Sequence, residues 1–94
     1  IYDLAAEHSK RHRMEPWQVK LHHYYSNGRY GEDWSIRQVV DESQNVDPEK
    51  DLVIYKVVAG KDLRKSGVST RAEFARWAQY EVFQVQAAWQ RKPA

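Results

Sequence analysis

The chain has 94 residues, of which 41% are hydrophobic and 30% are charged, and it contains no cysteine. This length allows one small core, and the absence of thiols excludes a disulfide scaffold, a thiol nucleophile and a cysteine-ligated metal centre. The formal net charge of +2 does not by itself indicate a nucleic-acid or membrane partner. We expect a single small α+β domain over residues 1–94, excised from a larger protein and located in the cytoplasm.

The first segment predicts a helix from Ile1 to about Met14, because it contains neither glycine nor proline. Pro16 ends this helix, since the residue before a proline is pushed towards extended geometry. The basic run at residues 9–13 suits a solvated helix tip, or alternatively a juxtamembrane segment of a membrane-attached parent protein.

The pair Asn27-Gly28 lies between two strand-like runs and predicts a hairpin with a two-residue type I′ turn. In that register Tyr25 would face Tyr30. The alternative is a wider loop through Gly31, which keeps both strands but changes how they pair.

A third strand is predicted at Leu52–Ala59, after an acidic connection over residues 41–51. The segment Thr70-Arg71-Ala72-Glu73 then fits a capping box at the start of a long C-terminal helix. Apolar residues follow at steps of three and four, which would place them on one helix face: Phe74, Trp77, Ala78, Val82, Val85 and Trp89. The expected architecture is α-β-β-β-α, a three-stranded antiparallel sheet packed against this amphipathic helix, with an additional N-terminal helix.

Strand alternation predicts which face of the sheet the long helix covers. Val53, Tyr55 and Val57 belong to that core face, together with Trp17, Val19, Leu21, Trp34, Ile36 and Val40. The opposite face mixes aliphatic and basic side chains, so either the first helix, a dimer mate or a partner should cover it. The predicted partner-binding residues are Tyr24, Val39, Leu52, Ile54, Lys56 and Val58.

Histidines offer the only candidates for chemistry. His8 and His12 would share a helix face and could hold a metal ion, but no third ligand is fixed. His22 would face Asp33, with Ser35 as the only nearby nucleophile; we expect a structural pair. We therefore predict no catalytic residues, no metal and no cofactor, and thus no enzyme.

The alternative function is nucleic-acid binding through the basic 61–76 segment. The α-β-β-β-α order is similar to that of double-stranded-RNA-binding domains, and its β-β-β-α portion to that of AP2 DNA-binding domains. The helix entry Ser69-Thr70-Arg71-Ala72-Glu73 departs from the lysine-rich entry that the RNA module would have. The residues that would contact phosphates are Lys61, Arg64, Lys65, Arg71 and Arg76.

The first prediction is a non-catalytic interaction or regulatory module that contacts a protein partner or its own copy through the mixed face. Nucleic-acid binding is the second.

Overall fold

A six-stranded antiparallel sheet is the main element of the computed structural model, which describes residues 14–93. Its strands lie in the order β4-β3-β2-β1-β5-β6, so β4 and β6 are the edges. The elements are β1 (Tyr24–Ser26), β2 (Ser35–Glu42), β3 (Leu52–Gly60), β4 (Ser66–Thr70), α1 (Arg71–Trp77), β5 (Tyr80–Val85) and β6 (Ala88–Arg91), with short 3-10 turns at Pro16–Gln18 and Gly31–Asp33.

The predicted three-stranded sheet with a long C-terminal helix is wrong. The capping box at Thr70 and Glu73 is present, but α1 ends at Trp77. No helix within residues 14–93 is long and apolar enough to cross a bilayer. Residues 80–91 form a β-hairpin instead, and β5 pairs with β1 with Tyr24 opposite Val82. The predicted N-terminal helix, from Ile1 to about Met14, falls on residues 1–13 except for its last residue, and these lie outside the described residues.

The β5–β6 hairpin explains why the helix stops. The N–H of Gln79 donates to the carbonyl of Ser26 at 2.7 Å, which joins the end of α1 to β1. The strand that follows is rich in β-branched and aromatic residues, which favour extended structure. Gln86 and Ala87 connect it to β6 with φ of 49° and 69°, the left-handed backbone that a type I′ turn requires. Pairing with β1 therefore outweighs the helical spacing of the apolar residues.

The connection between β1 and β2 is the wider loop through Gly31, and the tight turn at Asn27-Gly28 is wrong. Tyr25 lies opposite Arg37, not Tyr30. The side chain of Asn27 stabilises the loop: its Oδ1 accepts from the N–H groups of Arg29 and Ser35, and its Nδ2 donates to a main-chain carbonyl of the loop. The true register differs from the tight-turn register by an odd number of residues, so the two faces of β2 are exchanged.

The core lies between the sheet and α1. The ring of Phe74 contacts those of Tyr25, Tyr55 and Trp77 at centroid distances of 5.5–5.7 Å. Other members of this cluster are Met14, Val19, Val39, Val53, Ala75 and Ala78. Burial of Val53 and Val57, with Tyr55 packed against the cluster, confirms the face predicted for β3.

Because the two faces of β2 are exchanged, the predictions for two of its residues are wrong. Val39, predicted on the partner-binding face, is fully buried opposite Tyr55. Val40, predicted in the core, is 38% exposed and is the extra residue of a bulge between Val39 and Asp41. The prediction that Trp17 lies in the core is also wrong. Trp17 precedes the sheet in a 3-10 turn and is 72% exposed.

Candidate functional site

The six residues predicted to bind a partner do not form one surface. Leu52, Ile54 and Lys56 are exposed on the face of β3 away from α1. Val58 is half-buried where the β2–β3 ladder shifts, and Val39 is buried in the core. Tyr24 is half-buried two strands away, with its ring against Trp89 at a centroid distance of 5.0 Å.

The exposed aliphatic side chains continue onto β4. Ile54 lies directly opposite Val68, and Leu52 lies beside them opposite Thr70. Leu52, Ile54 and Val68, here named the aliphatic patch, are 45%, 38% and 60% exposed. Sequence reasoning missed Val68 because it assigned no strand between Leu52–Ala59 and the helix that starts at Thr70. The two β-branched residues Val68 and Thr70, in alternate positions, were the signal for a strand.

β4 is an edge strand that carries no charged residue and no proline. Two main-chain hydrogen bonds show which residues of β4 bond to β3. The N–H of Val57 donates to the carbonyl of Lys65, and the N–H of Arg71 donates to the carbonyl of Asp51. Alternation along an antiparallel ladder then turns the backbone N–H and C=O groups of Ser66 and Val68 away from β3. These groups face an edge that no strand of residues 14–93 covers.

Four of the five cations predicted to contact phosphate have carboxylate partners. Lys61 lies 3.6 Å from Asp33, Lys65 lies 3.4 Å from Asp62, Arg76 lies 3.2 Å from Glu49, and Arg71 contacts Asp51 and Glu42. Arg64 is exposed in the turn between β3 and β4. The basic segment is therefore largely neutralised by its own neighbours.

Arg71 is a structural residue. Its side chain is 12% exposed and donates hydrogen bonds to Asp51, to Glu42 and to the carbonyl of Val19. Burial alone would lower its pKa, but the two carboxylates raise the pKa above the usual range. A guanidinium whose donors are engaged in this way is poorly placed to contact a phosphate.

Arg37 lies in a different environment, between two aromatic rings. Its Cζ is 4.2 Å from the centroid of Tyr55 and 3.9 Å from that of Trp77. Among residues 14–93 no carboxylate lies within 4.0 Å of its guanidinium, and its buried Nε has no hydrogen-bond partner. Burial lowers the pKa of Arg37, although Tyr55 and Asp62 partly oppose the shift.

A cleft of about 300 Å³ adjoins Arg37. It is lined by Asn27, Arg29, Asp33, Ser35, Arg37, Val57, Lys61, Asp62 and Trp77. The wide loop between β1 and β2 supplies one wall and the β3–β4 turn another. Sequence reasoning missed this cleft because the tight-turn register placed Arg37 on the opposite face.

The predicted structural pair of His22 and Asp33 does not form. His22 lies in a turn with φ of 71°, and its N–H donates to the carbonyl of Val39. Asp33 pairs with Lys61 instead, and Ser35 Oγ donates to the carbonyl of Lys61. No cluster of metal-ligating side chains occurs in the described part of the chain, and His8 and His12 lie outside it.

Comparison of this chain with protein-family models, with curated proteins and with solved structures found no match.

Proposed function

We propose that this chain is a non-catalytic interaction module that binds a second copy of itself through β4 and the aliphatic patch. One observation carries this proposal: exposed Leu52, Ile54 and Val68 lie beside an uncharged edge strand with outward-facing hydrogen-bonding groups. Exposed edges in proteins usually carry a lysine, a proline or an inward-pointing charge that prevents pairing. β4 has none of these. We also propose a cytoplasmic location, which fits a chain without cysteine.

A second copy suits this surface because antiparallel pairing of a strand with itself obeys two-fold symmetry. Such an interface presents the same patch on both subunits, which is the commonest arrangement in soluble oligomers. Pairing centred on Val68 would bring the outward backbone groups of the two strands together. It would also place Ile54 and Val68 of each copy in one continuous aliphatic row. No like charges meet along Ser66–Thr70, so nothing on the strand itself opposes this contact.

Sedimentation velocity from about 10 μM to about 1 mM, a range that covers weak pairing, tests the proposal. We expect the wild-type chain to pass from monomer to dimer, and the amide of Val68 to become protected from hydrogen exchange as the dimer forms. Val68→Lys places a charge at the edge and should keep the chain monomeric.

Val46→Lys is the matched control, because Val46 is fully exposed in the loop between β2 and β3. It should dimerise like the wild type. A wild-type chain that stays monomeric over the whole range would show that the self-pairing proposal is wrong. Equal loss of dimer in both lysine variants would have the same meaning, because the effect would then not depend on β4.

A further inference from the structure

Two aromatic rings pack against the guanidinium of Arg37 and restrict its motion. Tyr55 belongs to β3 and Trp77 to the end of α1, so both rings are anchored on regular elements. A guanidinium that is restricted in this way loses little conformational freedom when it forms two parallel hydrogen bonds to an oxyanion. The geometry thus favours recognition of a planar anion.

Arg37 and Arg71 differ in their carboxylate partners. Arg71 has two carboxylate partners within the fold, whereas Arg37 has none among residues 14–93. Buried charges in proteins are normally paired. Arg37 is nevertheless kept at a half-buried position that borders a polar cleft, which leaves a place for an anion that residues 14–93 do not supply.

The charges that line the cleft select the class of anion. Arg29, Arg37 and Lys61 stand against Asp33 and Asp62, so three cations and two carboxylates leave a net charge of +1. A monoanion balances this charge. A phosphate dianion would exceed it and would lie near both aspartates, so a carboxylate fits better than a phosphate.

We propose that the cleft beside Arg37 binds the carboxylate group of a small acid or of a peptide C-terminus. Arg37, which packs against Tyr55 and Trp77, would form the bidentate contact with the carboxylate. Arg29 and Lys61 would provide the remaining positive charge. The volume of about 300 Å³ lies at the lower end of small-molecule sites and suits one residue or a molecule of similar size.

Nuclear magnetic resonance titration tests this directly, with the Arg37 Nε–H and the Trp77 indole N–H as reporters. The probes are N-acetylglycine, its neutral amide, tetraglycine as free acid or as amide, and inorganic phosphate, all at constant ionic strength. We expect saturable shifts of both reporters with the free acids and none with the amides. Binding of N-acetylglycine indicates a small acid, and binding of tetraglycine alone indicates a peptide C-terminus.

Arg37→Lys keeps the charge but loses the planar fork, and it should weaken binding at least about tenfold, as the loss of a charge-assisted hydrogen bond would. Lys61→Gln removes an exposed cation from the rim, where folding is not at risk, and should also weaken binding. Arg64→Gln is the matched control, because Arg64 is an exposed cation outside the cleft lining. The proposal is overturned if no free acid gives saturable shifts, if phosphate binds more tightly, or if Lys61→Gln and Arg64→Gln bind alike.

Discussion

Arg71 Nε donates a hydrogen bond of 2.6 Å to Oδ2 of Asp51, whose side chain is only 5% exposed. Asp51 also accepts from the hydroxyl of Ser43 and from the N–H of Asn45. The Arg71 guanidinium continues to Glu42 at the end of β2. Two ion pairs of Arg71 thus join the start of α1 to β2, through Glu42, and to the loop before β3, through Asp51.

Asp51→Asn should lower the free energy of unfolding by about 1.5–3 kcal/mol, because it replaces charge-assisted hydrogen bonds with neutral ones while Glu42 still pairs with Arg71. The measurement is urea unfolding followed by circular dichroism. Glu49→Gln is the matched control: it breaks the exposed pair with Arg76, for which about 0–1 kcal/mol is expected. Equal losses in the two variants would contradict the structural role assigned to Asp51.

The same carboxylate should make stability depend on pH. Burial would raise the pKa of Asp51, but hydrogen bonds from Arg71, Asn45 and Ser43 lower the pKa below its usual value. Its contribution is therefore fully present above the unfolded-state pKa of about 4 and is lost as pH falls through the lower folded-state pKa. Unfolding free energies measured from pH 7 to pH 2 should fall below about pH 4 in the wild type, and less steeply in Asp51→Asn.

Local signals in the sequence predicted β3 and the start of α1 correctly. The apolar set Val53, Tyr55 and Val57 alternates with exposed residues, so the buried face of β3 could be assigned without knowing its neighbours. The capping box at Thr70 and Glu73 likewise depends only on residues within one turn. Both features are determined by contacts close along the chain or by strict alternation.

Long-range contacts determined the features that the sequence did not predict. Val82 and Val85 fit the helical spacing, but pairing of residues 80–85 with β1 and β6 makes them a strand. The two-residue type I′ turn occurs at Gln86-Ala87, which has no glycine or asparagine, and not at Asn27-Gly28. Arg37 could not be placed beside Trp77 because its face depends on the length of the preceding loop. The cleft beside Arg37 could therefore not be predicted from the tight-turn register.

Thr70→Ala should reduce stability by about 1 kcal/mol, because Thr70 is the N-cap of α1. Its hydroxyl accepts from the N–H of Glu73 at 3.0 Å, and the carboxylate of Glu73 accepts from the N–H of Thr70 at 2.9 Å. Thr70→Ser keeps this hydrogen bond and should remain close to the wild type in thermal unfolding. A serine variant as unstable as the alanine variant would mean that the methyl group, not the cap, is responsible.

Arg37→Met should change the free energy of unfolding by no more than about 1 kcal/mol. The variant loses two cation–π contacts, worth about 1–2 kcal/mol each at a partly desolvated position. It also removes a buried charge and an Nε–H without a partner, a penalty of similar size. Chemical unfolding gives the balance. A loss well above 2 kcal/mol would indicate that Arg37 chiefly stabilises the fold.

Duplex DNA or RNA should bind this chain only weakly, with little change in the double variant Arg64→Ala/Lys65→Ala. The reason is that Lys61, Lys65 and Arg76 already contact carboxylates and Arg71 is buried, so few cations remain to release counterions from a phosphate backbone. Fluorescence anisotropy with a labelled duplex at two salt concentrations measures this. Tight binding that weakens steeply with salt and disappears in the double variant would favour the nucleic-acid alternative, because cations that now contact carboxylates would then have to bind phosphate instead.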